Sequence, residues 1–223
     1  MAQTQRSMKK LLKPLPLRDR VYESLRKGLF QGDFTSGQRV TEQEIAESLG
    51  VSRTPVREAL NVFRKQGVLE QSHGGAYVFS SPTIKQVEDI FEIRRLLEPL
   101  AARKAVSNCT ESDIRQLNSL IKKEQDLIDE EDLSQTYVYN AEFRKTFFNL
   151  CGNERLANTI DEFTGHVLFL GILTLKKRSV RQVVIQSQLN IVKGLETGDE
   201  EEMEKLFHDN LDASYKAIMT ELN

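Results

Sequence analysis

The sequence predicts a mainly α-helical protein of 223 residues in two parts. Most of the chain has apolar residues at every third or fourth position, which is the spacing of helices with one buried face. Residues 68–80 differ, because they read as two short strands around a Ser-His-Gly-Gly turn. The charges are uneven as well: residues 1–80 carry 13 lysines and arginines against 8 acidic residues, and the remainder is acidic. A basic part that binds a polyanion, joined to a part with a different role, is therefore expected.

The first helix is predicted to begin at Leu17, after a flexible basic tail at residues 1–16. The tail ends in the letters KPLP, and two prolines so close together oppose a helix. From Leu17 onward, Val21, Leu25 and Leu29 form one apolar stripe. The letters GDFTSG that follow are typical of a loop.

The second helix has clear start and stop signals. Thr41 and Glu44 fit a capping box, in which a hydroxyl and a carboxylate satisfy free backbone N–H groups reciprocally. Val40 and Ile45 stand where a hydrophobic staple would close over that cap. Gly50 is expected to end the helix, since glycine adopts the left-handed conformation at little cost.

A third helix follows after the three letters GVS, and this arrangement predicts a helix-turn-helix. Its buried stripe is expected to consist of Val56, Leu60 and Phe63, while Arg53 and Arg57 lie on the opposite side. The strand–turn–strand segment behind it would be the wing. The sequence therefore predicts a winged helix-turn-helix domain over residues 17–80.

Residues 81–223 are predicted to form a second, all-α domain of six to seven helices with one core. The letters SSPT at its start are typical of a short boundary turn. Helices are expected at 83–107, 110–130, 133–151, 154–177, 179–197 and 199–221.

The arginines of the third helix are best explained by binding to double-stranded DNA. A recognition helix enters the major groove with its N-terminal residues facing base edges, and arginine can hold guanine through two hydrogen bonds. A solvated charged face is the alternative, but the capped preceding helix, the tight turn and the hairpin argue against it. The residues expected at the DNA are Arg53, Thr54 and Arg57, the helix-capping Ser52, Gln43, His73 and Gly74 at the wing tip, and Arg39 and Lys65 at phosphates. A solvent-exposed turn residue remains the alternative for His73.

The segment SGQRVTEQEIAESLGVSRTPVREALNVFRKQGVL resembles the signature of the GntR family of bacterial transcription regulators. The letters IFEIRRLLEPLAARKAV at 90–106 and CGNERL at 151–156 resemble the FadR subfamily, which has an all-helical FCD effector domain. The resemblance implies a homodimer on a palindromic operator, with Arg53, Thr54, Arg57 and His73 in contact with DNA. Some relatives have a DNA-contacting arginine at the position of Gln43.

Many FCD domains bind a divalent metal through an aspartate and three histidines. The resemblance places these ligands at Asn140, Arg144, Gln188 and Asn210, so all four are replaced. No metal and no other cofactor is therefore expected.

The four replacements still interrupt apolar stripes, and buried polar groups must be satisfied. They form either a polar network within the core or a cavity that binds a small molecule. Without a ligand, Arg144 would be an unpaired buried cation, and a carboxylate or phosphate could pair with it bidentately. Arg94 and Arg95 could contribute, although a surface salt bridge is expected for at least one of them.

The leading hypothesis is a ligand-responsive transcription repressor that a small anion releases from its operator. The alternative is a DNA-binding protein whose helical dimerisation domain is purely structural. An enzyme has no support, because the sequence has no Ser-His-Asp set, glycine-rich phosphate loop or metal cluster. No apolar run approaches the ~20 residues of a membrane span, so a cytoplasmic protein with reduced Cys109 and Cys151 is expected.

Overall fold

The computed structural model describes residues 15–72, 74–80 and 82–222, and nine helices and three strands lie within these ranges. Most of the segment expected to be a flexible tail, and His73, lie outside the described residues. The elements are α1 (Leu17–Gln31), β1 (Arg39–Val40), α2 (Glu42–Leu49), α3 (Arg53–Lys65), β2 (Leu69–Gln71), β3 (Tyr77–Phe79), α4 (Ile84–Val106), α5 (Glu111–Asp126), α6 (Ser134–Asn149), α7 (Glu154–Leu175), α8 (Arg178–Thr197) and α9 (Glu200–Leu222). The predicted mainly α-helical fold, a winged helix-turn-helix followed by a helical bundle, is confirmed.

The capping box and the glycine stop of α2 are present as predicted. The Thr41 hydroxyl accepts a hydrogen bond from the Glu44 backbone N–H at 3.2 Å, and the Glu44 carboxylate accepts one from the Thr41 N–H at 2.8 Å. Gly50 ends the helix with φ at 64°, in the left-handed region. The turn to α3 is therefore short, and it sets the recognition helix at a defined angle to α2.

The wing is part of a three-stranded antiparallel sheet in the order β1-β3-β2. β3 pairs with β2 through Leu69 opposite Phe79, and with β1 through Val40 opposite Tyr77. The sequence pattern did not predict β1, because two residues are too few to show alternation. β1 forms because β3 offers it a free edge.

The bundle α4–α9 is close to the predicted one, and its largest difference lies between α5 and α6. α5 ends at Asp126 rather than at residue 130, and α6 begins at Ser134. Phe147 of α6 packs in the bundle core against Phe207 of α9, with 5.2 Å between ring centroids. No helix within the described ranges is both long and apolar enough to cross a bilayer.

The two domains meet where the end of α1 packs on the bundle. Phe30 lies in a small apolar cluster with Leu133, Tyr137 and Leu175. The Phe30 and Tyr137 rings meet edge to face at 4.6 Å, and the Arg26 guanidinium lies 4.6 Å from the centroid of the Tyr137 ring. The winged helix-turn-helix domain thus rests directly on α6 and α7.

Candidate nucleic-acid interface and internal cavity

The N-terminal half of α3 presents cations outward from a tightly packed helix. Val56 and Leu60 are completely buried on its inner side. On its outer side the side chains of Arg53 and Arg57 are 61% and 55% exposed, and Thr54 is exposed beside them. This is the geometry that a helix needs to reach into a major groove.

Glu42, the first residue of α2, holds both arginines. Its carboxylate accepts two hydrogen bonds from Arg57 at 2.8 Å and one from Arg53 at 3.1 Å. The hydrogen bond from Arg57 is the main reason why the pKa of Glu42 lies below its ordinary value. Glu42 therefore fixes the orientation of both guanidinium groups on the outer side of α3. Sequence reasoning missed Glu42, whose signal is its position directly after the capping threonine of α2.

The remaining expected DNA contacts surround α3. Ser52 occupies the N-cap position of α3, but contrary to expectation its side chain makes no capping hydrogen bond, so its hydroxyl is available to a ligand. The Gln43 amide donates to Glu47 at 2.9 Å, and both side chains are exposed. Lys65 is exposed at the C-terminal end of the helix.

The wing side carries the other two described positions. Arg39 donates to the Ser72 hydroxyl at 3.3 Å and so lies against the wing. Gly74 has φ at 100°, a conformation that side chains rarely adopt, which explains glycine at the wing tip.

Within the bundle, the five residues expected to bind an effector all line one cavity of about 220 Å³. This volume is below the roughly 300–1,000 Å³ of pockets that hold drug-sized molecules, so the cavity suits a smaller one. Its walls are mostly apolar and come from α4, α6, α7, α8 and α9. The polar residues in the lining include Arg94, Glu98, Asn140, Arg144, Gln188 and Asn210.

Arg144 was expected to be an unpaired buried cation, but this is wrong because the Glu98 carboxylate binds it. One oxygen of the Glu98 carboxylate accepts from Arg144 at 2.9 Å and from Arg94 at 2.7 Å. Burial alone would raise the pKa of Glu98, but Arg144 and Arg94 outweigh it and lower the pKa to about 2. Two guanidinium groups thus share one carboxylate, and the cluster keeps a net positive charge.

A second buried carboxylate, Glu124 of α5, lies behind the cavity wall and binds the amides. The Gln188 side-chain N–H donates to it at 2.8 Å, and Asn140 also hydrogen-bonds to it. Burial raises the pKa of Glu124 to about 7, against the opposing effect of these amides. Glu124 is therefore a buried acid that titrates near neutrality.

Several side chains of the lining keep buried polar atoms with no hydrogen-bond partner among the described residues. Three are donors, namely Arg94 Nη1, Arg144 Nε and Asn210 Nδ2, and one is an acceptor, Gln188 Oε1. Unsatisfied buried polar atoms are uncommon in folded proteins, and each requires an explanation. A bound polar molecule would supply one.

Comparison with known proteins decides the family. Residues 17–79 match the model of the bacterial regulatory proteins of the gntR family, and residues 89–213 match the FCD domain, which is more than half of the chain. The chain belongs to the GntR family and carries an FCD domain. It is a transcription regulator and not an enzyme.

Two curated relatives and one solved structure are similar over most of the chain. The uncharacterized HTH-type transcriptional regulator YdhC of Bacillus subtilis is 31% identical over 74% of both chains. The HTH-type transcriptional repressor RspR of Escherichia coli is 23% identical over 88% of this chain and 86% of its own. The structure of E. coli McbR/YncC superposes with a TM-score of 0.77 at 23% identity, over 94% of this chain and all of that one, and so shares the fold.

The polar residues of this FCD domain do not fit a divalent metal. Arginine cannot ligate a cation, and Arg144 stands at a position where the family resemblance implies a histidine ligand. The part of the chain that the structure describes has no group of three or more histidine, cysteine, aspartate or glutamate side chains placed to hold a metal ion. A surface salt bridge was expected for at least one of Arg94 and Arg95. It is present at Arg95, which binds Asp212 at 3.1 Å.

The cavity of this GntR-family regulator borders the contact between its domains. Leu175, Val180 and Val184 line the cavity and also pack in or against the apolar cluster that contains Phe30. Residues of the cavity wall therefore pack in the same apolar cluster as Phe30 of the DNA-binding domain.

Proposed function

We propose that this regulator is a homodimeric repressor that a small anionic metabolite, bound in the FCD cavity, releases from a palindromic operator. The observation that carries the proposal is the sharing of Glu98 by Arg94 and Arg144, which leaves the cavity lining with excess positive charge. The similarity to RspR, a transcriptional repressor, supports the repressor role.

The anionic character of the effector follows from charge and from the free donors. Arg94 and Arg144 each keep a buried N–H group without a partner among the described residues, and Asn210 adds another. A carboxylate accepts several such hydrogen bonds, and charge-assisted bonds are about twice as strong as neutral ones. Arg144 and Arg94 therefore attract the anion, while Asn140, Gln188 and Asn210 orient it.

Release from DNA requires that the effector bind two conformations unequally. The apolar cluster that contains Phe30 supplies the connection, because Leu175 belongs both to it and to the cavity wall. A ligand that displaces Leu175 repacks the support of α1, and α1 packs on α3 in the core of the DNA-binding domain. The two DNA-binding domains of the dimer then lose the spacing that their half-sites require.

On the DNA side, the roles follow the exposure of each group. Arg53 and Arg57 read base edges with Thr54 and Ser52 beside them. Four described residues around this face hold phosphates or the groove edge, namely Gln43, Arg39, Lys65 and Gly74. His73 is a further proposed DNA contact. Base contacts carry sequence specificity, whereas phosphate contacts set position and salt dependence.

The dimer is expected to form through the helical domain. Leu96 and Leu100 lie one turn apart on α4 and are 74% and 48% exposed. A second copy would cover them. Leu96→Asp should give the monomer mass in multi-angle light scattering at micromolar concentration, where the wild-type chain gives the dimer mass.

The decisive experiment measures operator release. An operator selected from random duplexes is labelled, and small carboxylates and phosphate compounds are screened by fluorescence anisotropy for release of the wild-type protein. Arg144→Ala should bind this operator as tightly as wild type and resist release, while the control Arg95→Ala, at a surface pair, should respond normally. If no carboxylate or phosphate compound releases the wild-type protein, the helical domain is a structural dimerisation domain and the proposal is wrong.

A further inference from the structure

The second buried carboxylate, Glu124, bears on which anions the cavity accepts. Glu124 is 1% exposed and does not line the cavity. Its contact with the cavity is made through Gln188, which is itself 4% exposed. A buried acid that touches the lining of a ligand cavity from behind is placed to control how that lining forms hydrogen bonds.

An ionised carboxylate accepts hydrogen bonds and cannot donate them. Whenever Glu124 is ionised, the Gln188 amide must therefore turn its N–H group toward Glu124. This is the orientation observed, with 2.8 Å between Gln188 Nε2 and Glu124 Oε1. The other end of the amide, Gln188 Oε1, is then left as a buried acceptor with no partner among the described residues.

We infer that Glu124 is a positioning residue that makes the cavity select anions carrying a hydrogen-bond donor, such as a hydroxyl or ammonium group, in addition to the acidic group. The inference rests on the proposed anion site formed by Arg94 and Arg144. The acidic group of the ligand binds these arginines, and its donor binds Gln188 Oε1. Asn140, which also hydrogen-bonds to Glu124, is held in the same way.

Protonation of Glu124 would remove this selection, because a neutral carboxyl group can both donate and accept. The Gln188 amide is then free to turn over and present its N–H group to the cavity. The groups that face Glu124 from the helices packed on α5 are the two amides, Asn140 on α6 and Gln188 on α8. The poorly exposed cations of those helices bind elsewhere: Arg144 binds Glu98, and Arg181 donates to backbone carbonyls at Ile128, Leu175 and Lys176.

The exposed ionisable groups near Glu124 on α5 are also paired away from it. Lys122 binds Asp126 at 2.8 Å, and the Lys123 ammonium lies 5.1 Å from the centroid of the Tyr139 ring on α6. Glu124 therefore has amide partners rather than a counter-ion. Its pKa of about 7 places the change between the two amide orientations within an accessible pH range.

The test uses the full-length protein and two matched pairs of acids, lactate with propionate and 3-hydroxybutyrate with butyrate, all of which stay ionised between pH 6 and pH 8. Dissociation constants are measured by calorimetry at both pH values. At pH 8 the hydroxylated member of at least one pair should bind roughly fivefold more tightly, the factor expected for one net hydrogen bond. At pH 6 the preference should fall toward onefold.

Glu124→Gln keeps the shape of the side chain and mimics its neutral form, so it should show little preference at either pH. Glu124→Gln should still bind the acids. Gln188→Met removes the acceptor itself and should also lose the preference for the hydroxylated acid. Two outcomes would refute the role of Glu124 and leave the anion site standing. In the first, the wild-type protein binds the hydroxylated and the plain acid of each pair equally tightly. In the second, it prefers the hydroxylated acid, but neither pH nor Glu124→Gln changes that preference. If none of the four acids binds the wild-type protein at millimolar concentration, the anion site is refuted and this inference with it.

Discussion

Replacing Glu98 with glutamine removes the carboxylate that holds Arg94 and Arg144 together. Glu98 is 2% exposed, and its pKa is lowered from 4.5 to about 2. Each pKa unit corresponds to about 1.4 kcal/mol, so the folded state favours the ionised form by about 3 kcal/mol. Removal of one partner from a buried ion pair has a similar cost, about 3–5 kcal/mol, because the remaining charges are left uncompensated.

Glu98→Gln should therefore lower the free energy of unfolding by about 3–4 kcal/mol at pH 7. For a chain of this size, that corresponds to a fall in melting temperature of roughly 6–16 °C. Addition of a small carboxylate should recover more stability in the variant than in the wild type, because the anion takes the place of the missing side chain. Urea and thermal unfolding, with and without propionate, measure both effects.

Asp212→Asn is the matched control, because it makes the same acid-to-amide change in an ion pair with Arg95 whose acid is 58% exposed. Exposed pairs contribute about 0–1 kcal/mol, so this variant should unfold close to wild type. A Glu98→Gln protein as stable as Asp212→Asn would show that Glu98 does not hold the arginines by charge. An equal response of the variant and the wild type to propionate would show that the anion does not take the place of the Glu98 carboxylate.

Four further outcomes are expected. Arg57→Ala should weaken binding to the selected operator by ~1–3 kcal/mol for each base that the arginine reads, while binding to a scrambled duplex changes little; unchanged specificity in anisotropy titrations would refute the proposed recognition face. Phe30→Ala should leave effector affinity intact but reduce effector-driven release of DNA, and normal release would exclude this packing route. The pKa of Glu124 is raised from 4.5 to about 7, so between these pH values the folded chain binds more protons than the unfolded chain, and this residue should make the free energy of unfolding fall as pH rises from about 4.5 to 7. In urea titrations, Glu124→Gln should lack this fall. If the wild type and the variant show the same pH profile, the raised pKa of Glu124 is wrong. Elemental analysis after dialysis against a chelator should find no stoichiometric zinc, nickel or manganese, and a near-equimolar metal would refute the interpretation of the cavity as an anion site.

The winged helix-turn-helix could be predicted because its signals are local. A capping threonine, a glutamate three residues later and a glycine at the helix end lie within ten residues, and each acts on the backbone next to it. The bundle helices follow from apolar periodicity for the same reason. The end of α5 was predicted less well, since its last turn depends on tertiary contacts rather than on a capping residue.

The polar site within the bundle was predicted only in part. Replaced metal-ligand positions pointed to Asn140, Arg144, Gln188 and Asn210, and the structure brings all four to one cavity. The carboxylates that control them could not be found in this way, because the contact of Glu98 with Arg144 spans 46 residues. The contact of Glu124 with Gln188 spans 64. No periodicity in the sequence encodes which buried acid forms a hydrogen bond with which distant side chain.

The arrangement around Glu98 explains how an FCD cavity can attract anions without a metal. A bound divalent ion contributes two positive charges, which the ligand side chains partly neutralise, and the charge disappears when the ion is removed. Here Arg94 and Arg144 contribute two positive charges and Glu98 neutralises one of them. The remaining positive charge belongs to a side chain, so it cannot dissociate as a bound ion can. Arginine remains protonated at any physiological pH, and Glu98 stays ionised well below neutrality. The charge of this cluster should therefore be insensitive to chelators and constant above about pH 5, and any pH dependence of effector binding or choice must come from Glu124 instead.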